Sequence, residues 1–157
     1  MTMKNQRGFT MLELMAVLAI LATLAWMVMP LAEVARERER ERELRRALWE
    51  IRDAIDAYKR VYDAHTNVKM SGISGYPPSL ATLAEGIPDP ASAGQMLYFI
   101  RRIPRDPFAS ATLPPEQTWG LRSYDSSASE PAAGADVYDV YSRSTAMALD
   151  GTLVKSW

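Results

Sequence analysis

Residues 9–32 form an apolar run that carries a single charge, Glu13. About 24 residues are enough for a helix to cross a hydrocarbon core of roughly 30 Å. The run therefore constrains the chain more than any other stretch: one helix must satisfy lipid before anything else can fold around it. The charge is the anomaly. A carboxylate inside such a run costs about 2.5–3.5 kcal/mol on insertion scales, so something has to compensate for it.

An ordinary secretory signal accounts poorly for the run. Its apolar region spans about 7–15 residues and ends in a small-x-small site. Here the run is longer, Glu13 is misplaced, and Thr23 with Ala25 makes only a weak small-x-small pair. A plain single-pass anchor fits the length but leaves Glu13 without a purpose.

The residues before the run add to the pattern. Lys4 and Arg7 make a short basic leader, then Gly8-Phe9-Thr10-Met11-Leu12-Glu13 follows. This resembles the processing site of type IV pilins and type II secretion pseudopilins. The resemblance implies cleavage between Gly8 and Phe9 by a prepilin peptidase. It also implies methylation of the new amine on Phe9, and an assembly role for Phe9 and Glu13. Residues 1–8 are then a leader removed on processing, and residues 9–32 a transmembrane and assembly helix. Arg36, Arg38, Arg40, Arg42, Arg45 and Arg46 lie soon after the run. By Lys/Arg counting alone they favour the opposite orientation. The processing motif takes precedence and puts the C-terminal region in the periplasm.

Pro30 removes one helical hydrogen bond and crowds the carbonyl at Trp26, so a kink is expected there. Residues 36–43 alternate Arg and Glu strictly. On a helix, unlike charges fall three apart and like charges four apart, and each effect is worth a few tenths of a kcal/mol. This collar is expected to be wet all round. From Leu44 an apolar stripe continues through Leu48, Ile51, Ile55, Tyr58 and Tyr62 with steps of four and three. That spacing is one helix face, and it needs a partner to bury it. Residues 33–66 are expected to be an amphipathic periplasmic helix, and the whole helix from Phe9 to Ala64 is then about 84 Å at about 1.5 Å per residue. His65 fits a helix end better than a ligand.

Residues 67–157 are expected to form the globular part. Gly72, Gly75, Pro77 and Pro78 mark a loop, and Ser79 can cap a short helix closed by Gly86. Residues 92–102 can form another helix, with Met96, Leu97 and Ile100 buried. Strands are expected at 119–124 and 137–141. Residues 125–136 make a polar loop between them. Two more strands, near 145–149 and 152–157, are expected on either side of an Asp150-Gly151 turn. The fold class is α+β: a long N-terminal helix packed on a small C-terminal antiparallel sheet, pilin-like.

The later segments extend the resemblance in order: Tyr76-Pro77-Pro78-Ser79-Leu80, Pro104-Arg105-Asp106-Pro107-Phe108, Trp119-Gly120-Leu121-Arg122-Ser123-Tyr124, and Val137-Tyr138-Asp139-Val140-Tyr141-Ser142 with Trp157 beyond. Together they are similar to the major pseudopilins of type II secretion. That family commonly holds calcium in its C-terminal loop. Here residues 143–151 offer one carboxylate, Asp150, with Asp136 and Asp139 as further candidates if they fold near. Calcium takes six to eight oxygens, several from carboxylates, so the expectation is no cofactor, with calcium kept as the lesser alternative.

The 157-residue chain has a net charge of −1, which gives no argument for nucleic acid. It has no cysteine and one histidine, and it shows no glycine-rich phosphate loop and no catalytic constellation. The expectation is a non-enzymatic structural subunit of a periplasmic pseudopilus, assembled from the inner membrane. Its expected partners are copies of itself in a helical filament, other pseudopilins, the prepilin peptidase and the inner-membrane assembly platform. A minor pilin, or a subunit of a type IV or competence pilus, is the nearest alternative. The missing cysteines and the Pro-Arg-Asp-Pro segment count against it, and the poor calcium loop counts for it. A membrane-anchored periplasmic binding module that never polymerises is the alternative of another class.

Overall fold

A computed structural model describes residues 9–65, 74–89, 91–92 and 94–157, and only the backbone of residues 27–29. The leader with Gly8, the Gly72 end of the first loop, Pro90 and Ala93 lie outside the described residues. The chain divides into two compact units, Met1–Arg38 and Glu39–Trp157. Helix α1, Met11–His65, is 55 residues long and contributes to both. Pro30 lies inside it, so helix-forming sequence on both sides outweighs the one lost bond. His65 is its last residue, with the ring Nδ1 2.9 Å from the Val61 carbonyl.

In the second unit the apolar stripe of α1 is core. Leu44, Ala47, Leu48, Ile51, Ala54 and Ile55 are buried together with Leu80, Leu83, Ile100, Ile103, Trp119, Val137, Val140, Ala148 and Val154. Tyr58 packs at the edge of this cluster. Trp119 is the largest side chain in the core, and its indole N–H donates to the Pro104 carbonyl at 2.8 Å. Burial of a large indole is favourable only when its N–H keeps a partner, and the Pro104 turn supplies it.

Helix α2, Leu80–Glu85, starts as expected: the Ser79 hydroxyl accepts from the Thr82 N–H at 3.3 Å. Gly86 ends it at φ +81°, a conformation other residues adopt at a cost. Among the described residues the helix expected at 92–102 does not form. Instead β1, Ile87–Pro88, pairs antiparallel with β2, Met96–Leu97. Gly94 takes φ +87°, and the Asp89 N–H bonds the Gln95 carbonyl at 2.9 Å. A left-handed glycine one turn into a short helix is incompatible with continuing it. Of the three residues expected to be buried here, Ile100 is, Leu97 is half-buried and Met96 is exposed.

Strand β3, Trp119–Arg122, pairs antiparallel with β4, Asp139–Ser142, with Trp119 opposite Ser142 and Arg122 opposite Asp139. Gly120 lies under the Tyr141 ring, and a Cβ there would come within 2.3 Å of it. Val137 is buried just before β4, and its N–H bonds the Pro77 carbonyl at 2.8 Å. The loop between the strands is pinned by Ser123 N–H to Ala132 carbonyl at 2.9 Å. Tyr76, Tyr124 and Tyr138 stack around it, with centroids 4.9–5.7 Å apart. Burial, and then the neighbouring Tyr138, push the Tyr76 phenol above its ordinary value.

The two final strands are also absent. Met147 and Leu153 make an isolated bridge around the Asp150-Gly151 turn, and a 3-10 turn, Val154–Ser156, follows. Burying Ala148 and Val154 against the core draws the segment in before a ladder can extend. The architecture is α+β, a long helix followed by small antiparallel sheets.

Truncation along α1 separates its two faces. Ile51→Ala is expected to lower the unfolding free energy by about 2–5 kcal/mol. Trp49→Ala, at a side chain that is 67% exposed, should change it by less than about 0.5 kcal/mol. Urea unfolding of the detergent-solubilised chain checks both.

Candidate functional site: the helix N-terminus and the C-terminal segment

The first unit presents the start of α1. Thr10 caps it: the Glu13 N–H donates to the Thr10 hydroxyl at 3.2 Å, and the Leu14 N–H bonds the Thr10 carbonyl at 3.1 Å. Thr10 to Glu13 has the spacing of a capping box, in which a hydroxyl and an acid three residues on share the unpaired first-turn amides. Glu13 is also the acid of the helix's first turn, where the macrodipole favours negative charge. Phe9, Met11, Leu12, Leu14, Met15, Val17, Leu18, Ile20, Leu21 and Leu24 are all exposed. A helix whose apolar side chains are exposed all round suits a nonpolar surround. This stretch is long and apolar enough to cross a membrane. Phe9 and Glu13 both lie at this exposed helix end, while Gly8 lies outside the described residues.

The three carboxylates considered for calcium are not brought together. Asp136 accepts the Tyr124 N–H at 2.8 Å. Asp139 takes Arg52 Nε and the Val140 N–H on Oδ1, both at 2.8 Å, and Arg122 approaches its Oδ2 at 3.9 Å. Asp150 takes the Thr152 hydroxyl at 2.6 Å and the Thr152 N–H at 2.9 Å on Oδ1, with Arg45 3.5 Å from Oδ2. Among the described residues no three acid or histidine side chains gather as a metal would require. A divalent cation would have to displace a guanidinium from Asp139 and two donors from Asp150. The residues present do not fit calcium.

The collar departs from expectation. Glu41 is buried, and its carboxylate accepts the Leu149 N–H at 2.6 Å. Arg40 sits over the Phe108 ring at 4.6 Å and donates to the Pro107 carbonyl at 3.2 Å. Charges on one side of a helix stay wet only if nothing folds over them, and here the Asp106 turn and the C-terminal segment do. Sequence reasoning also missed Asp106. Its buried carboxylate accepts Ser142 Oγ at 2.6 Å and the Phe108 N–H at 2.8 Å, and so ties the Pro-Arg-Asp-Pro turn to β4. The available signal was Asp106 before Pro107, a turn-forming pair.

Residues 3–29 match the prokaryotic N-terminal methylation motif. The chain is also 31% identical over 110 residues to the type II secretion system core protein G of Klebsiella pneumoniae. The match covers 69% of this chain and 73% of that protein. No solved structure matches. The chain belongs to the type II secretion core protein G family, and it is a pseudopilin subunit carrying the N-terminal methylation motif.

The Asp150 carboxyl is held below its ordinary value of 3.8, first by the Thr152 hydroxyl and amide and then by Arg45. Because the folded-state value is lowered, the stabilisation is full above the unfolded-state value and is lost as the pH falls through the folded-state value. The gap in melting temperature between the wild type and Asp150→Asn should therefore be full at neutral pH and close below pH 3.8. A gap that does not change with pH contradicts this.

Proposed function

We propose that the chain is a structural, non-catalytic subunit of the periplasmic pseudopilus of type II secretion. A prepilin peptidase cuts between Gly8 and Phe9, and residues 9–32 hold the subunit in the inner membrane with the C-terminal unit in the periplasm. The observation that carries this reading is Glu13: one carboxylate, in the first turn of an exposed apolar helix, directly behind the processing motif.

The physical account starts from the cost of that carboxylate in lipid. Cleavage leaves a free or methylated amine on Phe9, which is cationic. Glu13 of an incoming subunit pairs with the Phe9 amine of a neighbour already in the filament. An ion pair in low dielectric offsets the penalty that each charge carries alone. The apolar helices themselves gain little on leaving lipid for a filament core, because lipid tails are as apolar as leucine. The pair therefore directs assembly, and extraction needs an energy-coupled platform in the inner membrane. Partners on this reading are other copies of the chain, other pseudopilins and that platform.

Glu13→Ala removes the charge without touching the core of the second unit. It should be inserted, cleaved and folded, and fail to form filaments in cells that overproduce the secretion machinery. Filaments at wild-type abundance, counted by electron microscopy, contradict the proposed pairing.

A further inference from the structure

Three charged side chains on α1 reach the C-terminal segment: Glu41, Arg45 and Arg52. They are four and seven residues apart, so they line one face of the helix. Arg52 makes the most contacts. Its Nε donates to Asp139 at 2.8 Å, and its terminal nitrogen donates to the Val140 carbonyl at 3.2 Å and to the Trp157 backbone oxygen at 2.9 Å. It thus joins β4 and the last residue to the helix. Its side chain is only 32% exposed and that of Asp139 27%, so the pair is screened less than a surface pair. Arg45 stacks on the Trp157 ring at 4.1 Å and reaches Asp150 at 3.5 Å. The Trp157 indole N–H in turn bonds the Thr152 hydroxyl at 2.8 Å. Glu41 receives the Leu149 N–H. Between these anchors lie the buried Ala148 and Val154.

We propose that this Glu41–Arg45–Arg52 clamp holds residues 147–157 on α1 without a divalent cation. Each carboxylate that a metal would use is already neutralised or hydrogen-bonded by this chain's own donors. A fixed guanidinium does what a bound cation would do: it neutralises Asp139 and ties carbonyl oxygens from two parts of the chain to one positive centre. Arg suits this better than Lys, because its planar fork presents several donors at fixed angles. The segment therefore folds in the presence of a chelator, and the subunit is independent of calcium. The clamp itself rests on the geometry of the second unit. Only its consequence for the pseudopilus rests on the proposed function.

The test uses the full chain in detergent micelles and reads folding, not assembly, so it stands apart from the function assigned above. Melting temperature and the rate of proteolytic cutting within residues 143–157 are measured in chelator and in millimolar calcium. The two conditions should give the same values. Arg52→Met should lower the melting temperature by several degrees, because it takes the near guanidinium from Asp139 and the side-chain donor from the Val140 and Trp157 oxygens. Arg45→Gln, at an exposed position, should leave the core folded and speed cutting within the segment several-fold. A higher melting temperature in calcium, or calcium protection of the segment from cutting, overturns the proposal. So does an unchanged melting temperature in Arg52→Met together with unchanged cutting in Arg45→Gln.

Discussion

One helix has to meet two different surroundings. Over the described residues 11–26 α1 is apolar nearly all round, and its side chains are exposed. From Leu44 to Ile55 it is apolar on one face only, and that face is sealed by Trp119, Val140 and their neighbours. The first pattern suits lipid and the second suits a half-buried helix in water. Everything else in the chain follows from this change of pattern. The C-terminal residues exist as a fold because they cover the stripe.

Covering the stripe with so little regular structure needs other ties. The two sheets have two strands each, and the β1–β2 pair is two residues long. A two-stranded sheet alone is marginal in water. The load is carried by single polar side chains placed where irregular backbone crosses the core. Asp106 fastens its turn to β4 through Ser142, and Trp119 fastens the preceding Pro104. Arg52 and Glu41 fasten the last segment to α1. Buried polar groups that are all satisfied specify one arrangement of loops that apolar packing alone would leave loose. Among the described residues no buried side-chain nitrogen or oxygen lacks a partner.

Much of this was legible in the sequence. The apolar run, the lone Glu13, the stripe from Leu44 to Tyr58, the Ser79 cap and the β3–β4 pair are local patterns, and local patterns survive folding. The misses share a cause. Residues 92–102 have helical spacing, but Gly94 and the Asp89–Gln95 bond make a hairpin end. The final residues have strand propensity, but burial of Ala148 and Val154 ends the ladder at one bridge. The collar has a wet composition, but Glu41 faces a segment more than a hundred residues further along the chain. In each case a long-range contact or a single turn overrode a periodic signal, and no pattern within a short window encodes that. The poor calcium loop was visible as a shortage of carboxylates. That Arg52 pairs with Asp139 and Arg45 with Asp150 was not, because Arg45 and Arg52 have the spacing of ordinary solvated helix residues.

The pairing we propose for Glu13 requires cleavage between Gly8 and Phe9, which supplies the cationic amine. The direct measurement is the intact mass and N-terminal sequence of the protein purified from its native membrane. The expected result is a chain that begins at Phe9 and carries a methyl group on its amine. A chain that still begins at Met1 in cells with an active prepilin peptidase contradicts it.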